Sequence, residues 1–210
     1  MKKEDLPKKI AIFPLSNAVF FPKTMLPLNI FEDRYLQLVS DCMKEKRIFG
    51  MIQPKNTDGK KPDVYSVGCL GKIINFNETE DKRFIITLSG ITRFQIKEEL
   101  STKKLYREFD VDYSPFFQDL DNKIGKISHD GDLLKKIEIF FNKINYSVEL
   151  DQLFKLNFDQ LISTVCMISP FTISEKQKLI ETIKIEDKAK ILDEIISNNI
   201  FDLEENKTVQ

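Results

Sequence analysis

The stretch from Ile12 to Tyr35 holds three prolines and four phenylalanines. Proline has no amide N–H to give a sheet, so Pro14, Pro22 and Pro27 must mark strand ends or an edge strand. The segment is too apolar for an ordinary loop. It predicts a strand, an apolar crossover, a second strand, and a helix that begins near Phe31. Over Phe31 to Lys46, Tyr35, Leu36, Val39, Cys42 and Met43 recur at helical spacing. Glu32 and Asp33 favour the positive end of that helix; Lys44, Lys46 and Arg47 favour the negative end.

Downstream, up to about residue 115, a two-residue period dominates. It predicts strands over Ile48–Ile52, Val67–Phe76, 83–88, 93–97 and 107–113, with a polar loop from Pro54 to Pro62 that contains Asp58-Gly59. Ser89-Gly90 lies between two of these runs and predicts a hairpin turn. Gly68 and Gly71 predict a bulge or a close backbone contact. In 107–113, Phe109, Val111 and Tyr113 are expected inside, and Glu108, Asp110 and Asp112 in water. Phe76, Phe84, Phe94 and Phe109 are spaced as a core face.

After about residue 120 the period becomes 3.6. Leu133, Leu134, Ile137, Phe140, Phe141 and Ile144 form one stripe; Phe158, Leu161, Ile162 and Val165 form another. Asn157 with Gln160, and Ser174 with Gln177, predict capping boxes. A last helix carries Ala189, Leu192, Ile195 and Ile196. The expected class is α+β. A β-rich subdomain with one helix spans 8–117, a polar joint 118–131, a helical subdomain 132–200, and a fraying tail 201–210.

Composition narrows the function. Hydrophobic residues at 41% and charged residues at 31% are those of a soluble globular chain. No apolar run approaches the ~18–20 residues needed to cross a bilayer, and the amino terminus lacks an apolar h-region, so a cytoplasmic location is expected. Residues 1–120 carry 20 basic against 17 acidic side chains, and residues 121–210 carry 12 against 16. Neither half has the basic surplus of a phosphate-backbone binder, and the Lys2-Lys3, Lys8-Lys9 and Lys103-Lys104 pairs are expected in water. Cys42, Cys69 and Cys166 are widely spaced, and His129 is the only histidine; this set cannot build a four-ligand zinc site. Each cysteine is expected to be buried.

No phosphate loop, dinucleotide fingerprint, zinc-protease helix or nucleophile elbow occurs. His129 sits in the polar joint beside Ser128 and Asp130, a loop histidine without the apolar scaffold of a triad. Glu32, Asp33 and Arg34 are expected to pair locally at a helix start, and Arg93 to serve as a structural ion-pair partner. No catalytic residue, metal or cofactor is expected. Two aromatic pairs fit a core less well. Phe20-Phe21 precede Pro22, and Phe116-Phe117 follow Pro115, yet adjacent side chains on a strand point to opposite faces. These four are the candidate residues for binding apolar chain segments.

With these residues in hand, a resemblance is visible. Ile12-Phe-Pro-Leu15, Phe21-Pro22 and Leu26 to Tyr35 resemble the opening motif of the Lon protease amino-terminal, substrate-binding domain. Phe49-Gly50, Val67-Gly68, Gly90-Ile-Thr-Arg-Phe94, the region of Tyr106, Phe158-Asp-Gln-Leu161, Ser174 to Leu179 and Lys188-Ala189 continue it over about residues 8–198. The resemblance implies a PUA-like β-barrel followed by a helical bundle, and binding of unfolded or tagged polypeptides without chemistry. Phe20, Phe21, Phe116 and Phe117 are then the expected substrate contacts. An adaptor role beside an ATP-dependent protease is the further implication. The chain ends soon after the helical part, leaving no room for an ATP site or a Ser-Lys dyad, so the likeness is to a stand-alone form of the domain. Lys23 departs from the family, where a glycine is usual. Two other readings stand: an RNA-binding PUA-like protein, disfavoured by charge, and a hydrolase whose polar centre the sequence does not display.

Overall fold

The fold is organised by one long strand that the sequence reads as two. A computed structural model describes residues 2–16, 18–56, 61–121 and 131–208. The strands are β1 (Lys9–Pro14), β2 (Met25–Ile30), β3 (Ile48–Ile52), β4 (Val67–Glu78), β5 (Phe84–Leu100) and β6 (Arg107–Asp112). Their order is β2-β5-β4-β3-β1-β6, and β5 also pairs with β6. The ring β5-β4-β3-β1-β6 therefore closes on itself, which is the barrel expected. β1 and β3 run parallel and the other pairs are antiparallel. The parallel pair needs a crossover, and β2 with helix α1 (Asp33–Met43) supplies it.

Ser89-Gly90 is not a turn. Gly90 sits within β5, where a Cβ would lie 2.0 Å from the carbonyl oxygen of Phe21. The glycine is there so that the Phe21-Pro22 backbone can cross the strand. Lys23 N–H donates to the Gly90 carbonyl at 2.9 Å, and Gly90 N–H donates to the Thr24 carbonyl at 3.0 Å. Lys23 holds φ 62°, the left-handed conformation that a glycine takes readily. The turn is thus kept despite the side chain, whose ammonium donates to the Asp121 carbonyl at 2.8 Å. The expected irregularity near Gly68 and Gly71 appears as a register shift at Leu70/Gly71.

Inside the barrel, Ile10, Ile12, Ile52, Leu70, Phe94, Phe109, Val111 and Tyr113 form one buried cluster. α1 buries Tyr35, Leu38, Val39 and Cys42, and Tyr35 stacks on Phe13 with ring centroids 3.8 Å apart. Glu108 differs from expectation. It is only 6% exposed, and its two oxygens accept from Lys9 at 2.9 Å and Lys104 at 3.2 Å. Phe76 and Phe84 also differ. Their rings lie 5.0 Å apart where β4 and β5 extend past the barrel, and Phe76 is exposed.

The chain divides into two units, Met1–Asn122 with Thr172–Glu181, and Lys123–Phe171 with Thr182–Gln210. Helix α5 (Ile173–Glu181) thus belongs with the barrel and not with the helical segments around it. Its capping box is Thr172 with Glu175, two residues before the expected Ser174: Thr172 Oγ1 accepts from Glu175 N–H at 3.2 Å, and the Glu175 carboxylate accepts from Thr172 N–H at 2.8 Å. Polar bonds fix α5: Gln53 Nε2 donates to the Ile173 carbonyl at 3.3 Å, and Gln177 Nε2 to the Val67 carbonyl at 3.3 Å.

Arg93, 2% exposed, joins three pieces of this unit. Its Nε and Nη2 grip the two Asp119 oxygens at 2.9 and 2.8 Å, its Nη1 donates to the Ile180 carbonyl at 3.0 Å, and its guanidinium lies 4.7 Å over the Phe116 ring. Asp119 falls in a 3₁₀ segment, Ser114–Leu120, where the sequence reads the start of a polar joint. Of that joint, residues 122–130, with His129, lie outside the described residues, as does Asp58-Gly59.

The second unit contains α2 (Gly131–Lys143), the short α3 (Leu150–Leu153), α4 (Phe158–Ile168) and α6 (Ile185–Thr208). The expected stripes face inward: Leu133, Ile137, Phe140 and Phe141 on α2, and Leu161, Ile162 and Val165 on α4, are buried with Leu192 and Ile196 of α6. Asn157 caps α4 as predicted, accepting from Gln160 N–H at 3.0 Å. Lys136 pairs with Asp193 at 2.7 Å, and Lys143 with Glu204. α6 continues to Thr208, so residues 201–208 of the tail expected to fray are helical.

Two substitutions test this account. Gly90→Ala should cost at least about 3 kcal/mol by urea unfolding, because the clash is with backbone and not with a side-chain tip. Arg93→Met should cost about 3–5 kcal/mol by leaving the Asp119 carboxylate buried without its counter-charge. The double variant Arg93→Met/Asp119→Leu should recover part of that loss; a double variant no more stable than the single would show that the charge pair is not the source.

Candidate functional site

Closure of the barrel leaves few strand edges open. Among the described residues, β4 pairs with β3 only over Cys69–Lys72, so its distal half is open on that side, and β2 pairs only with β5. The three strands β4, β5 and β2 thus form a wing beyond the barrel. Pro27 lies in the middle of β2, opposite Thr87. Proline can occupy an edge strand only where its missing N–H would face away from the neighbour. Met25 and Asn29, two residues to either side, share that outward orientation, while Leu26 and Leu28 face β5. The outer edge of β2 is therefore a set of main-chain groups without a strand partner.

Large apolar side chains are exposed at the two ends of β2 and on the wing. Met25 is 64% exposed and Phe31 63%, and Ile74, Phe76 and Ile85 on the wing are also exposed. Phe31 is held out because β2 ends at Ile30, which is buried, and α1 begins three residues later, at Asp33. Glu32 and Arg34 pair across the helix start at 2.7 Å, and the Arg34 guanidinium lies 4.6 Å over the Tyr35 ring, which is the local pairing the sequence suggests. Beside the end of β2 is an open cleft of about 320 Å³, walled by Phe13, Pro14, Leu28, Phe31, Tyr35 and Pro54. A second cleft, of about 360 Å³, shares the walls Pro14, Arg34, Tyr35 and Pro62 and continues to Lys61, Glu99, Leu105 and Arg107.

The charges near these clefts are braced. Arg107 grips both Glu99 oxygens at 3.1 and 2.9 Å and donates to the Pro62 carbonyl at 2.8 Å. Lys61 reaches the same carboxylate at 2.8 Å. The Arg107 hydrogen bonds, with those of Lys61, hold the Glu99 carboxyl below the usual carboxylate range. Tyr106 donates to Asp41 at 3.0 Å, and burial pushes its phenol up to about 12. Burial likewise pushes the Cys42 thiol up to about 12, and its sulfur donates to the Ile48 carbonyl at 3.3 Å. Glu108 is pushed up by burial, but the bonds from Lys9, Lys104 and Thr102 outweigh this, and its net shift is downward.

The four phenylalanines singled out in the sequence are placed otherwise than a docking surface requires. Phe20, Phe21 and Phe116 are buried. The pair Phe20-Phe21 is not in a strand, so alternation does not apply. The chain crosses β4 and β5 at glycines: a Cβ on Gly71 would lie 2.8 Å from the Phe20 ring, and Phe21 passes Gly90. Phe116 lies under Arg93, and Phe117 is half-buried with the Lys3 ammonium 4.3 Å from its ring. The sequence contains a signal for β2, since a proline within an alternating run marks an edge strand. Nothing in it marks Leu105, 63% exposed after a polar stretch, or the convergence of Lys61 and Arg107 on Glu99.

All three cysteines are buried, as expected. Among the described residues, no group of three or more His, Cys, Asp or Glu side chains is placed to hold a metal ion, and no helix is long and apolar enough to cross a membrane.

Comparison with known proteins gives the family of this closed barrel and its open-edged wing. Residues 9–198 match the model of the ATP-dependent protease La (LON) substrate-binding domain, so this chain belongs to that family. It is 21% identical to the Lon protease of Anaeromyxobacter dehalogenans over 94% of its own length and 24% of the relative's. It is 24% identical to the Lon protease of Syntrophus aciditrophicus over 98% and 27%. The chain thus spans about a quarter of the length of these relatives. Among solved structures, a Lon N-terminal domain protein from Xanthomonas campestris aligns with TM-score 0.62 and 18% identity, over 88% of this chain and 96% of that one. The N-terminal domain of the Mycobacterium avium complex Lon protease aligns at 0.57 and 14%, over 90% and 98%. At these identities the likeness concerns the fold.

The Glu108 brace predicts an acid sensitivity. Its folded pKa lies below the ordinary 4.5, so its contribution to stability is complete above pH 4.5 and is lost as pH falls through the folded value. Glu108→Gln should therefore destabilise the protein at pH 7 and narrow the gap in melting temperature between pH 7 and pH 3. A gap as wide as that of the parent protein would refute the assignment.

Proposed function

We propose that this chain binds polypeptide segments in extended, apolar form, without bond chemistry, at the free edge of β2 and the cleft beside it. The observation that carries the reading is the β2 edge, open among the described residues, set next to exposed Phe31 and a cleft of about 320 Å³ walled in part by Phe13, Leu28 and Pro54. An extended segment added to β2 would satisfy main-chain groups and bring every second side chain to the cleft, the mode in which strand addition supplies affinity and pockets supply selectivity. Membership of the Lon substrate-binding family supports the same reading. The docking surface is placed on Phe31, Met25 and the β2 edge, because the rings of Phe20, Phe21 and Phe116 are sealed in the core and Phe117 is partly covered. Presentation of such segments to an ATP-dependent protease is the finer form of the proposal, supported by the Lon proteases this chain resembles.

Phe31→Ser tests it. The side chain is mostly in water, so melting should change by no more than a degree or two. Affinity for a reduced, carboxymethylated test protein should fall by about 1–2 kcal/mol, most of the value of burying one phenylalanine. Unchanged affinity, read by fluorescence anisotropy, would remove Phe31 and its cleft from the mechanism.

A further inference from the structure

The two clefts that meet at Pro14, Arg34, Tyr35 and Pro62 differ in chemistry. The one at the end of β2 mixes Phe13, Leu28, Phe31 and Pro54 with the paired Glu32 and Arg34. The other has apolar walls in Tyr35, Pro62 and Leu105, but also carries cations. Among the described residues, Arg34, Lys61, Lys104 and Arg107 line it against one carboxylate, Glu99. Among the described residues, counting the carboxylates that pair with these cations from outside the cleft does not remove the surplus. Glu32 answers Arg34, but Glu99 is shared by Lys61 and Arg107, and Glu108 is shared by Lys104 and Lys9. Each of the last two carboxylates is outnumbered two to one, in a chain whose overall charge is −1. Lys61, with 66% of its side chain exposed, sits at the rim and shares Glu99 with Arg107.

We infer that the second cleft takes a side-chain carboxylate, so that the preferred occupant is an internal polypeptide segment with apolar residues at the β2 end and an Asp or Glu a few residues away. This rests on the polypeptide-binding reading and adds a charge rule to it. The shared walls set the clefts side by side, both open to solvent, which suits a chain laid across them better than a chain end. Half-neutralised cations at the rim favour an anion on approach and in the bound state, and penalise a basic residue at the same place.

The test uses the full chain and two fluorescein-labelled peptides of about ten residues. Both have alternating Leu and Phe at one end, and they differ by one Asp or its isostere Asn toward the other. The Asp peptide should bind about three- to fivefold more tightly at low salt, the range of an exposed charge pair. The preference should vanish in 0.5 M salt and in Lys61→Glu, read as the ratio of the two peptides' affinities for each protein. Equal binding of the two peptides to the parent protein would overturn the charge rule and leave the β2 reading standing. Binding of neither would overturn both. A preference that survives Lys61→Glu and high salt would also overturn it, since the discrimination would then arise elsewhere.

Discussion

A single buried guanidinium holds the barrel unit to its accessories. Arg93 lies on β5, the strand that every other part of the sheet meets directly or through one neighbour, and its donors leave the strand in two directions. One set fixes the 3₁₀ segment through Asp119. The other reaches the Ile180 carbonyl at the end of α5, where a helix has acceptors left over and its dipole favours a cation. With Phe116 beneath it, the charge is enclosed by partners on several sides. A lysine at this position would have neither the planar fork for Asp119 nor the reach to serve both elements at once.

Much of the fold can be read in the sequence because the barrel obeys local rules. β3 runs over the residues predicted, and α1 and β6 fall within a few residues of the expected spans. Reading failed where a residue serves a distant neighbour instead of its own segment. Gly90 looks like a turn and is a crossing point. Glu108 alternates correctly for an outward position, yet two lysines from other places in the chain cover it. Phe20 and Phe21 look surplus to a core only if they are taken as strand residues. α5 carries an ordinary amphipathic pattern, and nothing local tells it from helices that pack with each other.

The same contrast holds for the docking edge. Pro27 announces β2 as an edge strand, and the exposure of Met25 and Phe31 follows from where that strand stops. The cationic cleft is different in kind. Lys61, Glu99 and Arg107 meet only because β5 and β6 pair and the segment after β3 returns over them. A site of this kind is written in topology and becomes visible only once the strands are in register.

The placement of α5 bears on how the chain can be assembled and dissected. Residues 172–181 complete a unit that otherwise ends near residue 122, so a ribosome must make the intervening helices before the barrel receives its last element. Until then Gln53, Val67 and Arg93 wait for bonds that only the late segment can give. A fragment cut after the 3₁₀ segment would keep every strand and still be unfinished. To obtain the barrel by itself, residues 172–181 have to be spliced back to it through a linker.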